Sequence, residues 1–161
     1  MASKADFNAE EWTTIVEGPV LAGMRVVTAG RGGTIRESLA IGKVYGEARR
    51  AHGESPLLDE LVSSPPGVDP QRVGGEGDLG AASAERLREA LRLLGEKGAP
   101  EDVEAYKRFV LSVARAAAEA HKEGGFVGIG GRQISEDEQR ALDEIEAVLE
   151  SGSGGAPPSA A

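Results

Sequence analysis

Cysteine is missing from the chain, which excludes disulfides, thiolate nucleophiles, iron–sulfur clusters and thiolate zinc sites, and fits a reducing, cytoplasmic setting. Aromatic residues make up only 4% of it, one Trp, two Tyr and three Phe. A core must therefore come from Leu, Val, Ile and Ala, which suits helices packed closely on small side chains. Long apolar runs are scarce as well. The opening "MASKADFNAEEW" lacks the run of about 7–15 apolar residues of a signal peptide, and no stretch nears the ~20 needed to span a bilayer. The expectation is a chain neither exported nor embedded in a membrane. Basic charge is short too: 18 Lys and Arg face 27 Asp and Glu, a formal net charge of −9. Residues 1–80 carry 8 basic and 12 acidic groups and residues 81–161 carry 10 and 15. Without a basic stripe in either half, binding to nucleic acid or to a membrane surface is not expected.

No segment alternates Val, Ile, Thr and aromatics at period two, so little sheet is expected. What the chain has is helix starts. In "FNAEEW", Asn8 can cap, Glu11 can reach back, and Phe7 can pack on Trp12, a capping box with a hydrophobic staple. That helix is expected to end near Gly18, with Pro19 opening a second one through "PVLAGMRVVTA", since proline suits a first helical position. Thr34 with Glu37 marks another start, on a helix through Leu39, Ile41, Val44 and Tyr45. Its glycines, Gly42 and Gly46, lie four apart and read as the close approach of a neighbouring helix.

Ser55 and Pro56 begin a short helix in "SPLLDELV". Residues 63–82 are dominated by Pro, Gly and small or polar residues, a flexible insertion. Ser83 is expected to cap a helix with Leu87, Ala90, Leu91 and Leu94 on one face. Pro100 opens the longest helix, whose stripe Val103, Tyr106, Val110, Val113 and Ala117 is widened by Phe109 and Ala114 and marks the centre of the core. Ser135 and Glu138 start the last helix, which presents Leu142, Ile145, Val148 and Leu149. These patterns predict an all-α fold: a compact orthogonal or antiparallel bundle of about six to seven helices. A single domain is expected over residues 7–150, followed by a disordered tail at 151–161.

The segment "HKEGGFVGIGGRQISEDE" at residues 121–138 is the strongest candidate for function. It fails as a dinucleotide fingerprint, because Gln133 stands where a third glycine belongs and a helix precedes it where a strand is required. It fails as a P-loop, because Gly131 and Arg132 replace the Lys and the Ser or Thr. The acids Glu136, Asp137 and Glu138 also satisfy the positive end of the following helix and would repel phosphate. A divalent cation held by Glu123, Glu136 and Glu138 is chemically reasonable, though Ser135 and Glu138 also read as a simple cap. Phe126, Val127 and Ile129 either plug the helix ends or form an apolar lip for a protein partner.

The sequence "AEAHKEGG", ending in Glu123-Gly124, followed by Ile134-Ser135 and Glu138, resembles a motif of the TerB-like family associated with tellurite resistance and stress responses. That motif runs roughly Ala-x-Ala-Asp-Gly-x-Ile-Ser-x-x-Glu. Here Glu replaces Asp, and about nine residues separate the halves. A weaker copy, "VLAGMRVVTAGRGGTIRESL" with Glu37, suggests a pseudo-repeat of helical hairpins. The resemblance covers roughly residues 19–50 and 100–150. It implies a compact all-helical, acidic interaction module, with Glu123 and Glu138 as the acids that carry over to any cation site.

Catalytic residues are few. His52 and His121 both sit near helix ends, where a cationic ring favours the negative end of the dipole, and no Glu-x-x-His, G-x-S-x-G or H-E-x-x-H pattern occurs. The expected function is a non-enzymatic cytosolic interaction module needing no cofactor. It would meet a basic or amphipathic protein through the apolar loop and the last helix, where residues 136–150 hold seven acids against Arg140. The alternative is a small-ligand or divalent-cation binding protein with its site between the 123–131 loop and the carboxylates of 136–138. Self-association into a homo-oligomer stays open.

Overall fold

The computed structural model describes residues 1–30, 34–68, 79–123 and 134–152, and of residues 34–36 and 121–123 the backbone alone. Six α-helices follow one another among them: α1 (Ala9–Ala29), α2 (Thr34–Arg50), α3 (Pro56–Ser63), α4 (Leu79–Lys97), α5 (Pro100–Glu123) and α6 (Glu136–Ser151). A 3-10 turn at Lys4–Asp6 precedes them, and the described residues contain no strand. The architecture is an all-α bundle, as the periodicities predict.

The start of α1 follows the sequence reading. The Asn8 side chain accepts from the amides of Glu10 and Glu11, and the Asn8 amide donates back to Glu11 at 2.8 Å. Phe7 packs on Trp12 with ring centroids 6.1 Å apart. Lys97 at the end of α4 reaches the same Glu11 carboxylate at 2.6 Å and lies over the Phe7 ring, so the cap also ties two helices together.

The expected break at Gly18-Pro19 does not occur. α1 runs unbroken from Ala9 to Ala29 with Pro19 inside it. An internal proline removes the N–H that would bond the carbonyl four residues back, here that of Ile15. The Tyr106 hydroxyl of α5 donates to the Ile15 carbonyl at 2.9 Å in its place. Gly18 gives that hydroxyl access, since a Cβ there would stand 2.1 Å from it. Ile15, Gly18 and Pro19 are all buried, so water could not have filled the gap. Tertiary packing thus reverses the local signal of the proline.

α1 and α5 share the centre. α1 packs on α5 and α4, with α6 and α2 along its other sides, and from Thr14 to Gly23 only Val16 is not buried. Gly23 permits a second close approach, as a Cβ there would meet Ile41 of α2 at 2.7 Å and Val113 of α5 at 3.1 Å. α2 lies antiparallel to α5: Ile41 comes to the level of Val113, and Tyr45 meets Phe109 edge to face at 5.1 Å. α4 contributes Leu87, Leu91 and Leu94, each at most 1% exposed and each contributing about 1.5–3 kcal/mol by leaving water. A partly buried ion pair joins α4 to α1, with the half-buried Arg86 placing its Nε 3.5 Å from the buried carboxylate of Glu17.

Two further boundaries differ from expectation. α4 begins at Leu79, so residues 79–82 are helical and Ser83 is buried within the helix and does not cap it. Leu79 is only 7% exposed, and burying it draws the first turn into the helix. The rest of the expected insertion narrows to 64–68, outside any helix, and to 69–78, which lie outside the described residues. The close approach expected at Gly42 and Gly46 is absent among the described residues. A Cβ on Gly42 would meet nothing within 4 Å, and one on Gly46 only the Arg50 guanidinium at 3.8 Å.

Replacing Tyr106 by Phe should cost about 1–3 kcal/mol in urea unfolding, because it strands a buried carbonyl. Adding Pro19→Ala to that variant should recover most of the loss, since residue 19 then supplies the missing N–H. Simple additivity would show that the two residues do not share one acceptor. Burial also raises the ionisation of both tyrosines, the only two in the chain, above the usual phenol range. A folded-state pKa that is raised gives stability that is fully present below about pH 10 and is lost as pH climbs beyond it. Near-ultraviolet phenolate absorbance should therefore rise together with the loss of helical circular dichroism, not ahead of it.

Candidate functional site

The end of α1, the start of α2, the end of α5 and the start of α6 lie at one end of the bundle. Glu138 of α6 sits against Gly30, where a Cβ would come within 2.5 Å of its Oε1, and the antiparallel pairing of α2 with α5 brings Thr34 to the level of Ala120, about one turn before the end of α5. Residues 124–133, including Phe126, Val127 and Ile129, lie outside the described residues, as do the side chains of His121 and Glu123.

Beyond the loop, Ile134 packs against the core and Ser135 caps α6. The Ser135 hydroxyl accepts from the Glu138 amide at 3.2 Å, and the Ser135 amide donates to Glu138 Oε2 at 2.9 Å. This closes the expected capping box and buries the Glu138 carboxylate, which is 1% exposed. Glu136 and Asp137 are exposed in the same turn, with Asp137 bonded to Arg140 at 3.2 Å. Residues two apart on a helix point about 200° apart, so Glu136 and Glu138 are not brought to a common point. Among the described residues no three His, Cys, Asp or Glu side chains gather as metal ligands would.

The acid of the second motif behaves like Glu138: Glu37, in the first turn of α2, is 2% exposed. Along α6 the outer carboxylates are partly matched by bases. Arg25 meets Glu144 at 2.9 Å and Arg115 meets Glu146 at 2.8 Å, while Glu136 and Glu150 form no ion pair with a described residue. Of the two histidines, His52 is exposed and its Nδ1 stands 3.0 Å from Asp59, linking the end of α2 to α3.

A feature missed in the sequence is an open groove of about 630 Å³ between α2 and α5, floored by Ala40, Val44, Ala116 and Ala120. Leu39 stands on its edge, 69% exposed. The wheel held the signal, because Leu39 lies about 160° from the buried Ile41 and about 120° from the buried Tyr45. Gly42, on the same outer side of α2, costs about 0.5–1 kcal/mol relative to alanine, and no described residue packs within 4 Å of a Cβ there. No helix among the described residues is long and apolar enough to cross a membrane. No family model matches the chain, and neither a curated protein nor a solved structure matches it.

Glu138→Ala should lower stability by about 1–2 kcal/mol through the lost cap, and Glu138→Gln by much less, because glutamine also closes a capping box. Glu136→Ala should stay within about 0.5 kcal/mol of the parent. Denaturant unfolding of the three variants separates a helix start from a shared ion site, in which positions 136 and 138 would respond alike to added calcium.

Proposed function

We propose that the chain is a non-enzymatic helical interaction module of the cytoplasm, stress-associated in the manner of the TerB-like family it resembles. It would meet a basic protein partner through the outer face of α6 and the apolar loop at 124–133 that leads into it. The observation that carries this reading is the carboxylate-rich solvent face of α6. Glu136, Asp137, Asp143, Glu144 and Glu150 are all exposed, and the nearby Arg25, Arg115 and Arg140 answer only some of them. Such a face steers a cationic partner and does so less well as salt rises. The paired burial of Glu37 and Glu138, each in the first turn of the second helix of a hairpin, supports the pseudo-repeat that the resemblance implies.

Titrating the full chain with a Lys- and Arg-rich amphipathic peptide at about 50 mM salt should give saturable binding that weakens at least about tenfold near 500 mM. It should weaken comparably in a Glu136→Gln, Asp143→Asn, Glu150→Gln variant. Binding that ignores both salt and variant would dismiss the acidic face as the docking surface. A rise in melting temperature with millimolar calcium or magnesium, lost in Glu123→Gln with Glu138→Gln, would favour the cation-binding alternative instead.

A further inference from the structure

We propose that the groove between α2 and α5 seats a second copy of this chain, so that the protein pairs through α2 about a two-fold axis. The groove carries both halves of a fit. Leu39 projects from its edge, 69% exposed, and beside it lies a floor of small apolar side chains, Ala116 and Ala120 on α5 with Ala40 and Val44 on α2. A two-fold contact requires that kind of patch, since each copy must supply the complement of what it presents. A second copy seated over Leu39 also comes near Gly42, about 60° round the α2 wheel and outside the groove lining, where no described residue stands within 4 Å of a Cβ; Gly18 and Gly23 already receive side chains of their own chain.

Charge selects the occupant. The groove is bordered by Lys43, Glu47 and Glu119, and the Lys43–Glu47 contact is long, 3.9 Å, between side chains 76% and 57% exposed. A strongly basic helix would meet Lys43 and a strongly acidic one would meet the two carboxylates. A copy of the chain brings both signs, and a two-fold axis can set each Lys43 against a carboxylate of the other copy. The α6 face points elsewhere, since α6 packs on α1, α4 and α5. Pairing through α2 therefore leaves that face open and is independent of the function proposed above.

Sedimentation equilibrium on the full chain should show a monomer–dimer equilibrium in the micromolar range, typical of a modest interface. Leu39→Glu should sediment as a monomer with unchanged circular dichroism and an unchanged response to the basic peptide. Lys43→Glu should weaken the dimer at least about tenfold at low salt, while Arg88→Glu, the same charge change on exposed α4, should not. Gly42→Ala should weaken the dimer several-fold yet raise the melting temperature in the monomeric Leu39→Glu background, opposite signs that a merely structural glycine would not produce. A parent chain that stays monomeric at about 200 µM, well above the expected range, would overturn the proposal. So would a dimer that survives Leu39→Glu, or equal weakening by Lys43→Glu and Arg88→Glu.

Discussion

One hydrogen bond organises the centre of the molecule: the Tyr106 hydroxyl donating to the Ile15 carbonyl across the α1–α5 contact. A buried carbonyl without a donor is expensive, and Pro19 removes the amide that would regularly serve Ile15 within its own helix. The donor must come from another helix, at one height and in one direction. Gly18 opens the approach, since a Cβ there would stand 2.1 Å from the hydroxyl, and Leu87 of α4 closes over the same position, 3.3 Å from where a Cβ would stand. Sliding α5 along α1 by a turn would strand the carbonyl and drive a side chain into backbone. Apolar packing alone tolerates such slips more readily, because it has no direction. The polar contact fixes register, and the leucines and valines around it supply most of the free energy.

Most of the helices were legible because their ends are written in local chemistry. Asn8 with Glu11, Ser55 ahead of Pro56, and Ser135 with Glu138 all cap as their side chains suggest, since a cap depends on three or four neighbouring residues and little else. The apolar stripes of α4, α5 and α6 were legible for the same reason, Leu94, Val110 and Ile145 being buried as their spacing requires. The misreadings at Pro19, Ser83 and the α2 glycines have a common physical origin. Each residue has two roles locally, and distant partners choose between them: Tyr106 for Pro19, the burial of Leu79 for Ser83, and for Gly42 the lack of a neighbour among the described residues.

The site was less legible. Glu138 was marked by its motif both as a cap and as a cation ligand, and only its tertiary surroundings, the close fit against Gly30, show how fully the carboxylate is enclosed. Glu136 carries the same charge two residues earlier and faces solvent. A list of acids in sequence cannot distinguish them, whereas the helical turn separates them at once. The groove beside Leu39 escaped notice because it belongs to two helices more than seventy residues apart, and the outward Leu39 on the α2 wheel does not show that α5 completes it.

α3 is held on different terms from the rest. At eight residues it is too short to persist by itself in water, and its last turn borrows its partners: the Arg49 guanidinium of α2 donates to the carbonyls of Val62 and Ser64. Leu57, Leu61 and Val62 anchor it to the core, while its last carbonyls are met by the Ser63 hydroxyl, which donates to Glu60, and by Arg49 from α2. Releasing that arginine would fray only the last carbonyls of α3, because Leu57, Leu61 and Val62 hold the rest of it in the core while the Ile15–Tyr106 joint stays shut. Local openings of that kind set the lower rungs of a protein's stability ladder.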